Sequence, residues 1–161
     1  MLTVSQPQWF SWDATISDGA RQVGGVTFAR WREAGSITVG AETFAVARER
    51  RFSGEYLLTS GGTTIARAGR PTFFGRHFEM RHDGDRYTLQ RRSWFGREYV
   101  LKRGDHVLGS VARPAIAAFR RQAQADLPSS LPLPVQLFVV WLVLLAGFIP
   151  RQLMHIFGGD A

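Results

Sequence analysis

The chain has 161 residues, no cysteine and a formal net charge of +7, with Lys102 its single lysine. That length can bury one core unaided, and the lack of thiols excludes disulfide frameworks and thiolate metal sites. The surplus charge is almost all arginine, a skew that a GC-rich coding sequence also produces, and it suits anionic partners such as phospholipid headgroups or nucleic acid.

Met1 to Gln8 has no basic stretch followed by an apolar one, so no secretory leader is expected. The expectation is a cytoplasmic protein, at the inner face of the membrane if it meets one. The first strands are expected at Trp9 to Ile16, Gln22 to Trp31, Ser36 to Ala41 and Thr43 to Arg50, where aromatic and β-branched residues alternate with polar ones. The middle of the chain then repeats itself. The segment Glu55 to Pro71 aligns without gaps on Glu98 to Pro114, an offset of 43 residues, and Phe74-Gly75-Arg76 is echoed by Phe95-Gly96-Arg97, an offset of 21. Similarity at a fixed period marks one supersecondary unit used several times. The unit reads as a β-hairpin: Phe78, Met80 and His82 share one face, Glu79, Arg81 and Asp83 the other, and Asp83-Gly84-Asp85 turns the chain into Tyr87 to Arg91. With a last strand at Ile116 to Gln124, about eleven or twelve short strands fall between residues 7 and 125, at the spacing of a sheet that curls and closes.

Residues 126–134 form a proline-rich linker, residues 135–149 an uncharged apolar helix that Pro150 is expected to stop, and residues 150–161 a tail. Fifteen helical residues at about 1.5 Å each span roughly 22 Å, short of the ~30 Å of a hydrocarbon core. Extension back to Leu131 would bring in Pro132, Pro134 and Gln136. A barrel of tilted strands about eight residues long is about 20 to 25 Å tall, a better match. A closed sheet of about twelve strands also has a lumen that its own side chains cannot fill. Leu137, Phe138, Trp141, Leu142 and Leu145 are the expected buried core of the helix, with the Trp141 indole N–H on an internal partner. Ala45, Ala47, Ala66, Ala68 and Gly109 are the small residues expected to let the helix approach the wall. The expected fold is mainly β: a closed antiparallel barrel of about twelve strands, built from repeated hairpins around a central hydrophobic C-terminal α-helix, in one domain over residues 1–161.

The repeated hairpins that open on an aromatic residue, the linker Ala125-Asp126-Leu127-Pro128-Ser129-Ser130-Leu131-Pro132-Leu133-Pro134 and the hydrophobic helix with Phe138 and Trp141 resemble the tubby C-terminal-like superfamily, whose relatives include LURP-one-related proteins and phospholipid scramblases. The resemblance covers most of the chain by pattern and implies a twelve-stranded barrel wrapped around its C-terminal helix. Some tubby-like proteins bind phosphoinositide headgroups, so the resemblance implies lipid binding, whereas the expectation of a non-enzymatic protein comes from the lack of catalytic motifs. The tail Arg151 to Gly159 departs from it by continuing past the point where a buried helix would end.

No catalytic residue and no cofactor is assigned. His77, His82 and His106 lie on different hairpins without metal-ligand spacing, Ser110 lacks the setting of a nucleophile elbow, and Asp83 with Asp85 makes a turn lacking the later acidic positions of a calcium loop. Gly24-Gly25 and Gly61-Gly62 lack the Lys and Ser/Thr of a phosphate loop. The remaining candidates are basic. Arg91, Arg92, Arg97 and Lys102 come from adjacent segments of one hairpin connection and are the candidate headgroup site, although arginines at alternate strand positions also simply face water. Three readings follow: a barrel binding anionic phospholipid or an unknown protein partner at the membrane surface; a membrane protein anchored through residues 131–149; and, less favoured, a nucleic-acid-binding β module using Trp94, Phe95 and Arg97.

Overall fold

Alternation of burial along the strands defines two faces: Phe78 and Met80 are buried where Glu79 and Arg81 are exposed, and Tyr87 and Leu89 are buried between more exposed neighbours. The computed structural model describes residues 1–6, 13–29, 34–50, 53–70, 77–93, 98–112 and 121–157, with backbone alone at 53, 121–122 and 147–157. These residues form β1 (Leu2–Gln6), β2 (Ala14–Asp18), β3 (Arg21–Phe28), β4 (Gly35–Val39), β5 (Glu42–Arg50), β6 (Ser53–Ser60), β7 (Thr63–Gly69), β8 (His77–His82), β9 (Asp85–Arg91), β10 (Glu98–Arg103), β11 (His106–Ala112), β12 (Arg121–Asp126) and α1 (Leu133–Phe157). Every strand pairs antiparallel with its sequence neighbours, and β1 closes the ring on β12 with Val4 opposite Ala123. The barrel has twelve strands, as the sequence led us to expect.

The two ends of the barrel differ. At one, even-numbered strands pass to odd-numbered ones through tight turns such as Asp83-Gly84, whose φ values of 51° and 79° are those of a type I′ turn. At the other, here termed the mouth, odd-numbered strands pass to even-numbered ones through longer stretches of sequence, except for the two residues between β5 and β6. Since β12 runs toward the turn end, α1 enters there and is directed through the lumen to the mouth. Every residue from Leu137 to Val143 is fully buried, and burial continues to Leu145. Only an enclosing wall buries consecutive helical residues on all sides. The lumen is apolar and the outward positions carry residues such as Glu49, Arg67, Glu79 and Arg81, the reverse of the polar interior and apolar outer band of a membrane barrel.

The helix leans on β3 and β4. A Cβ on Gly24 would first meet the Thr38 carbonyl and one on Gly35 the Thr27 carbonyl, so both glycines serve the pairing of β3 with β4, and the same Cβ atoms would lie 2.9 Å from Leu137 Cδ1 and 3.0 Å from Trp141 Nε1. Their absence lets the helix approach. Across the ring, β9 and β10 supply Tyr87, Leu89, Tyr99 and Leu101 to fill the wider gap. Trp141 is the hub. It stacks on Phe28 at 4.9 Å between ring centroids and meets the Tyr56 ring edge-on at 5.7 Å. Its indole N–H donates to the Thr27 carbonyl at 3.1 Å, while the Ser36 amide donates to the Thr27 hydroxyl oxygen, also at 3.1 Å.

Several expectations are corrected. The helix is not limited to residues 135–149: it begins at Leu133 and continues through Pro150 to Phe157. Proline removes one backbone hydrogen bond, but its fixed φ is helical, so a long helix can absorb it with a bend. The linker is correspondingly shorter, and Gln136, which would sit badly in lipid, donates to the Leu131 carbonyl at 2.8 Å and to that of Pro128 at 3.3 Å. The first strand is Leu2–Gln6, ahead of residue 7, the expected start of the strand region; of the expected strand Trp9 to Ile16, residues 9–12 lie outside the described residues. The last strand, Arg121–Asp126, runs two residues past the expected end at Gln124, and of the expected strand Ile116 to Gln124 residues 116–120 lie outside the described residues. Ala66 and Ala68 face the lumen, but Ala45 and Ala47 are exposed on the opposite face of β5 from Phe44 and Val46. A Cβ on Gly109 would meet the Asp126 carbonyl and Leu127, so that glycine serves the approach of the chain after β12 and not that of the helix.

Trp141→Asp places an unpaired charge in the lumen and is expected to abolish the cooperative thermal transition. Trp141→Phe leaves the Thr27 carbonyl without its partner and is expected to cost about 1–3 kcal/mol in urea unfolding. A Trp141→Asp protein that still folds would contradict enclosure of the helix.

Candidate anion site at the barrel mouth

The four basic candidates do not come together. Arg91, at the mouth end of β9, continues the inward series Tyr87 and Leu89, and its guanidinium carbon lies 5.9 Å from the Tyr99 ring centroid. Arg92 is exposed and pairs with Glu98 at 3.4 Å. Lys102 faces outward on β10, next to the turn at the far end. It is three residues beyond Tyr99, roughly 10 Å along the strand. Arg97, Trp94 and Phe95 lie outside the described residues. Consecutive numbering placed these residues near one another in sequence, but strand alternation turned Arg91 into the lumen and Lys102 away from it.

What the structure brings together is a different set. Arg48 ends the inward series Phe44 and Val46 on β5, and Arg70 follows Ala66 and Ala68 at the end of β7. The Arg48 guanidinium carbon lies 4.9 Å from the Tyr56 centroid, and that of Arg70 lies 4.7 Å from the Phe78 centroid. Arg48, Arg70 and Arg91 are thus one element repeated: the last inward residue of an odd strand, laid over the first inward aromatic of the next strand. The register keeps them level. Tyr56 stands opposite both Arg48 and Ala68, two residues short of Arg70, and Phe78 stands opposite Leu89, two short of Arg91. Each hairpin therefore climbs two residues, as the tilt of barrel strands requires, and the arginines remain at the rim. Two strand spacings and two residues separate successive Cα atoms by roughly 12 Å.

Their chemistry differs from that of the outer arginines. Arg67, Arg81 and Arg103 each hold a carboxylate, those of Glu49 at 3.3 Å, Glu55 at 2.6 Å and Asp85 at 2.9 Å. Among the described residues, Arg70 and Arg91 have no such partner, and the Nε of each is buried without a hydrogen-bond acceptor. An aromatic face supports a guanidinium by about 0.5–2 kcal/mol, yet it does not replace an acceptor for a buried N–H. The signal was present in the sequence as Arg at the last inward position of successive odd strands, and it becomes readable once the facing of each strand is known.

The histidines remain apart. His77 starts β8, His106 is exposed at the start of β11, and His82 Nδ1 lies 2.9 Å from the Ile65 carbonyl at the turn end. Among the described residues no group of three His, Asp or Glu side chains could hold a metal ion.

Arg92→Ala and Lys102→Ala are each expected to change unfolding free energy by less than about 0.5 kcal/mol, because both side chains face solvent. Tyr99→Ala, which opens the lumen beneath Arg91, is expected to cost about 3 kcal/mol or more in the same measurement. No family model, curated protein or solved structure matches the chain.

Proposed function

We propose that this chain is a non-enzymatic, tubby-like binding barrel that docks mouth-first on an anionic phospholipid surface. The observation that carries the reading is the row of arginines laid over aromatic rings at the mouth, Arg48 on Tyr56, Arg70 on Phe78 and Arg91 on Tyr99. Described cations at that end are Arg48, Arg50, Arg70, Arg91 and Arg92, and the acids Glu49, Glu55 and Glu98 there are each paired with an arginine of the outer surface. The stretches of sequence that join strands at the same end, 7–12, 30–33, 51–52, 71–76, 94–97 and 113–120, lie outside the described residues. As sequence they hold seven arginines against Glu33 alone, a net of six positive charges in a chain of +7, and four of its five tryptophans, Trp9, Trp12, Trp31 and Trp94. The turns at the far end, among them Gly40-Ala41 and Gly61-Gly62, have neither type of residue.

Arginine with Trp and Phe is the composition that favours the interface of an anionic bilayer: cations are worth about 1 kcal/mol each near such a surface, and amphipathic rings settle at headgroup level. The helix supports the same orientation. Its 25 residues extend about 37 Å, beyond a wall about 20 to 25 Å tall, and its end is directed out through the mouth. Burial of Leu137 to Leu145 inside the barrel disfavours the alternative in which residues 131–149 span a bilayer.

Sedimentation with vesicles tests the proposal. Vesicles of phosphatidylcholine containing phosphatidylserine should carry the protein down, and pure phosphatidylcholine should leave it in solution. Raising salt from 0.1 to 0.5 M should weaken binding by about tenfold or more, because exposed charges are screened over about 10 Å at 0.1 M and less beyond. Tryptophan emission should shift to the blue on binding, a change owed to tryptophans other than the already buried Trp141. Equal binding to both vesicle types, or none to either, would refute it.

A further inference from the structure

We infer that Arg70 and Arg91 form a binding site for one tetrahedral phosphate-class oxyanion inside the barrel mouth. The inference rests on the reading of this barrel as an anion binder and specifies which chemical group the rim takes. Three observations support it. Both guanidiniums are fixed from below by a ring, Phe78 at 4.7 Å and Tyr99 at 5.9 Å, so they are held in place before a ligand arrives. Among the described residues both carry a buried Nε with no acceptor, whereas Arg67, Arg81, Arg92 and Arg103 on the outer surface are matched to carboxylates. Both point into the same mouth from strands separated by β8 alone, at the same height.

Geometry selects the ligand class. A guanidinium is a planar fork that occupies two oxygens at once. A carboxylate has only two oxygens and is used up by one arginine. A phosphate or phosphomonoester presents three or four in a tetrahedron, so it can take one fork on each of two edges, and its charge approaches the sum of the two cations. The buried Nε–H groups are the donors that such a ligand would satisfy, and a headgroup or a free phosphorylated small molecule offers the same oxygens.

The test uses the full chain. Inorganic phosphate should raise the melting temperature saturably, beyond the effect of sodium chloride at equal ionic strength, because a ligand of the native state alone stabilises it by mass action. Arg70→Met with Arg91→Met keeps the ring packing, removes the forks, and should abolish the saturable shift while the protein still melts cooperatively. Arg70→Lys with Arg91→Lys guards against misfolding of the first variant; it retains charge and should weaken phosphate at least tenfold if bidentate forks matter. Vesicles of phosphatidylcholine containing phosphatidic acid distinguish the sources. Competition with free phosphate assigns the site to a lipid headgroup, and its absence assigns it to a soluble phosphorylated ligand, the site standing in both cases. A phosphate shift equal in the wild type and a folded double Met variant, or no shift in the wild type, overturns the site. Should the double Met variant lose the phosphate response yet still sediment with phosphatidylserine vesicles, the oxyanion site stands apart from membrane docking. Loss of vesicle binding by the wild type with phosphate binding intact would instead overturn the membrane reading alone.

Discussion

A helix that is apolar on every face persists in water only when all of it is covered, and that constraint shapes the rest of the chain. Burial from Leu137 to Leu145 requires a wall on every side, which a closed barrel supplies and an open sheet does not. It also requires the wall to be uneven, because a ring of equal side chains would leave the helix loose on one side or crowded on another. Glycines on β3 and β4 bring the helix close there, and the rings and leucines of β9 and β10 fill the far side. Trp141 then anchors the helix by stacking, by edge contact and by its hydrogen bond to Thr27.

The 43-residue repeat acquires a structural meaning in this light. Val23, Ile65 and Leu108 are each an extra residue in the register of β2–β3, β6–β7 and β10–β11, and each packs on the core from a partly buried position. They recur at intervals of 42 and 43 residues, which is the length of four strands. Bulges increase twist and bend the strand, so a bulge at the same place in each of three four-strand units spreads the curvature that closure needs, and β5–β6 adds a further register shift between Arg48 and Arg50. The rim follows the same period. Arg91 stands 43 residues after Arg48, and the position 42 residues before Arg70 is Phe28, which stacks on Trp141. The last inward position of an odd strand thus carries a cation over a ring in three hairpins, at Arg48, Arg70 and Arg91, and a clamp on the helix in another, at Phe28.

Strand alternation, the hairpin turns and the strand number were legible in the sequence because each depends on residues close together in the chain, as with Phe78, Met80 and the Asp83-Gly84 turn. What failed depended on pairing between distant segments. Ala45 and Ala47 were assigned to the lumen by size alone, and only pairing of β5 with β4 and β6 shows that Phe44 and Val46 occupy that face. Pro150 suggests a stop in sequence, yet the helix runs through it, because one missing hydrogen bond does not end a helix of 25 residues. The grouping of Arg91 with Lys102 used distance along the chain, where a two-residue period and the length of a strand put them on opposite faces and toward opposite ends.

The remaining asymmetry separates the fold from what it presents. The turn end and the lumen account for closure, burial of the helix and the placing of bulges, and they do so with apolar side chains and tight turns. None of this needs Arg70 or Arg91. A neutral apolar residue over Phe78 or Tyr99 would cover the ring without leaving a buried N–H unmet, so folding alone would favour such a residue. Cations held at a rim against that preference, on rings that keep them from collapsing onto the outer carboxylates, are preorganised for a charge that comes from outside the chain.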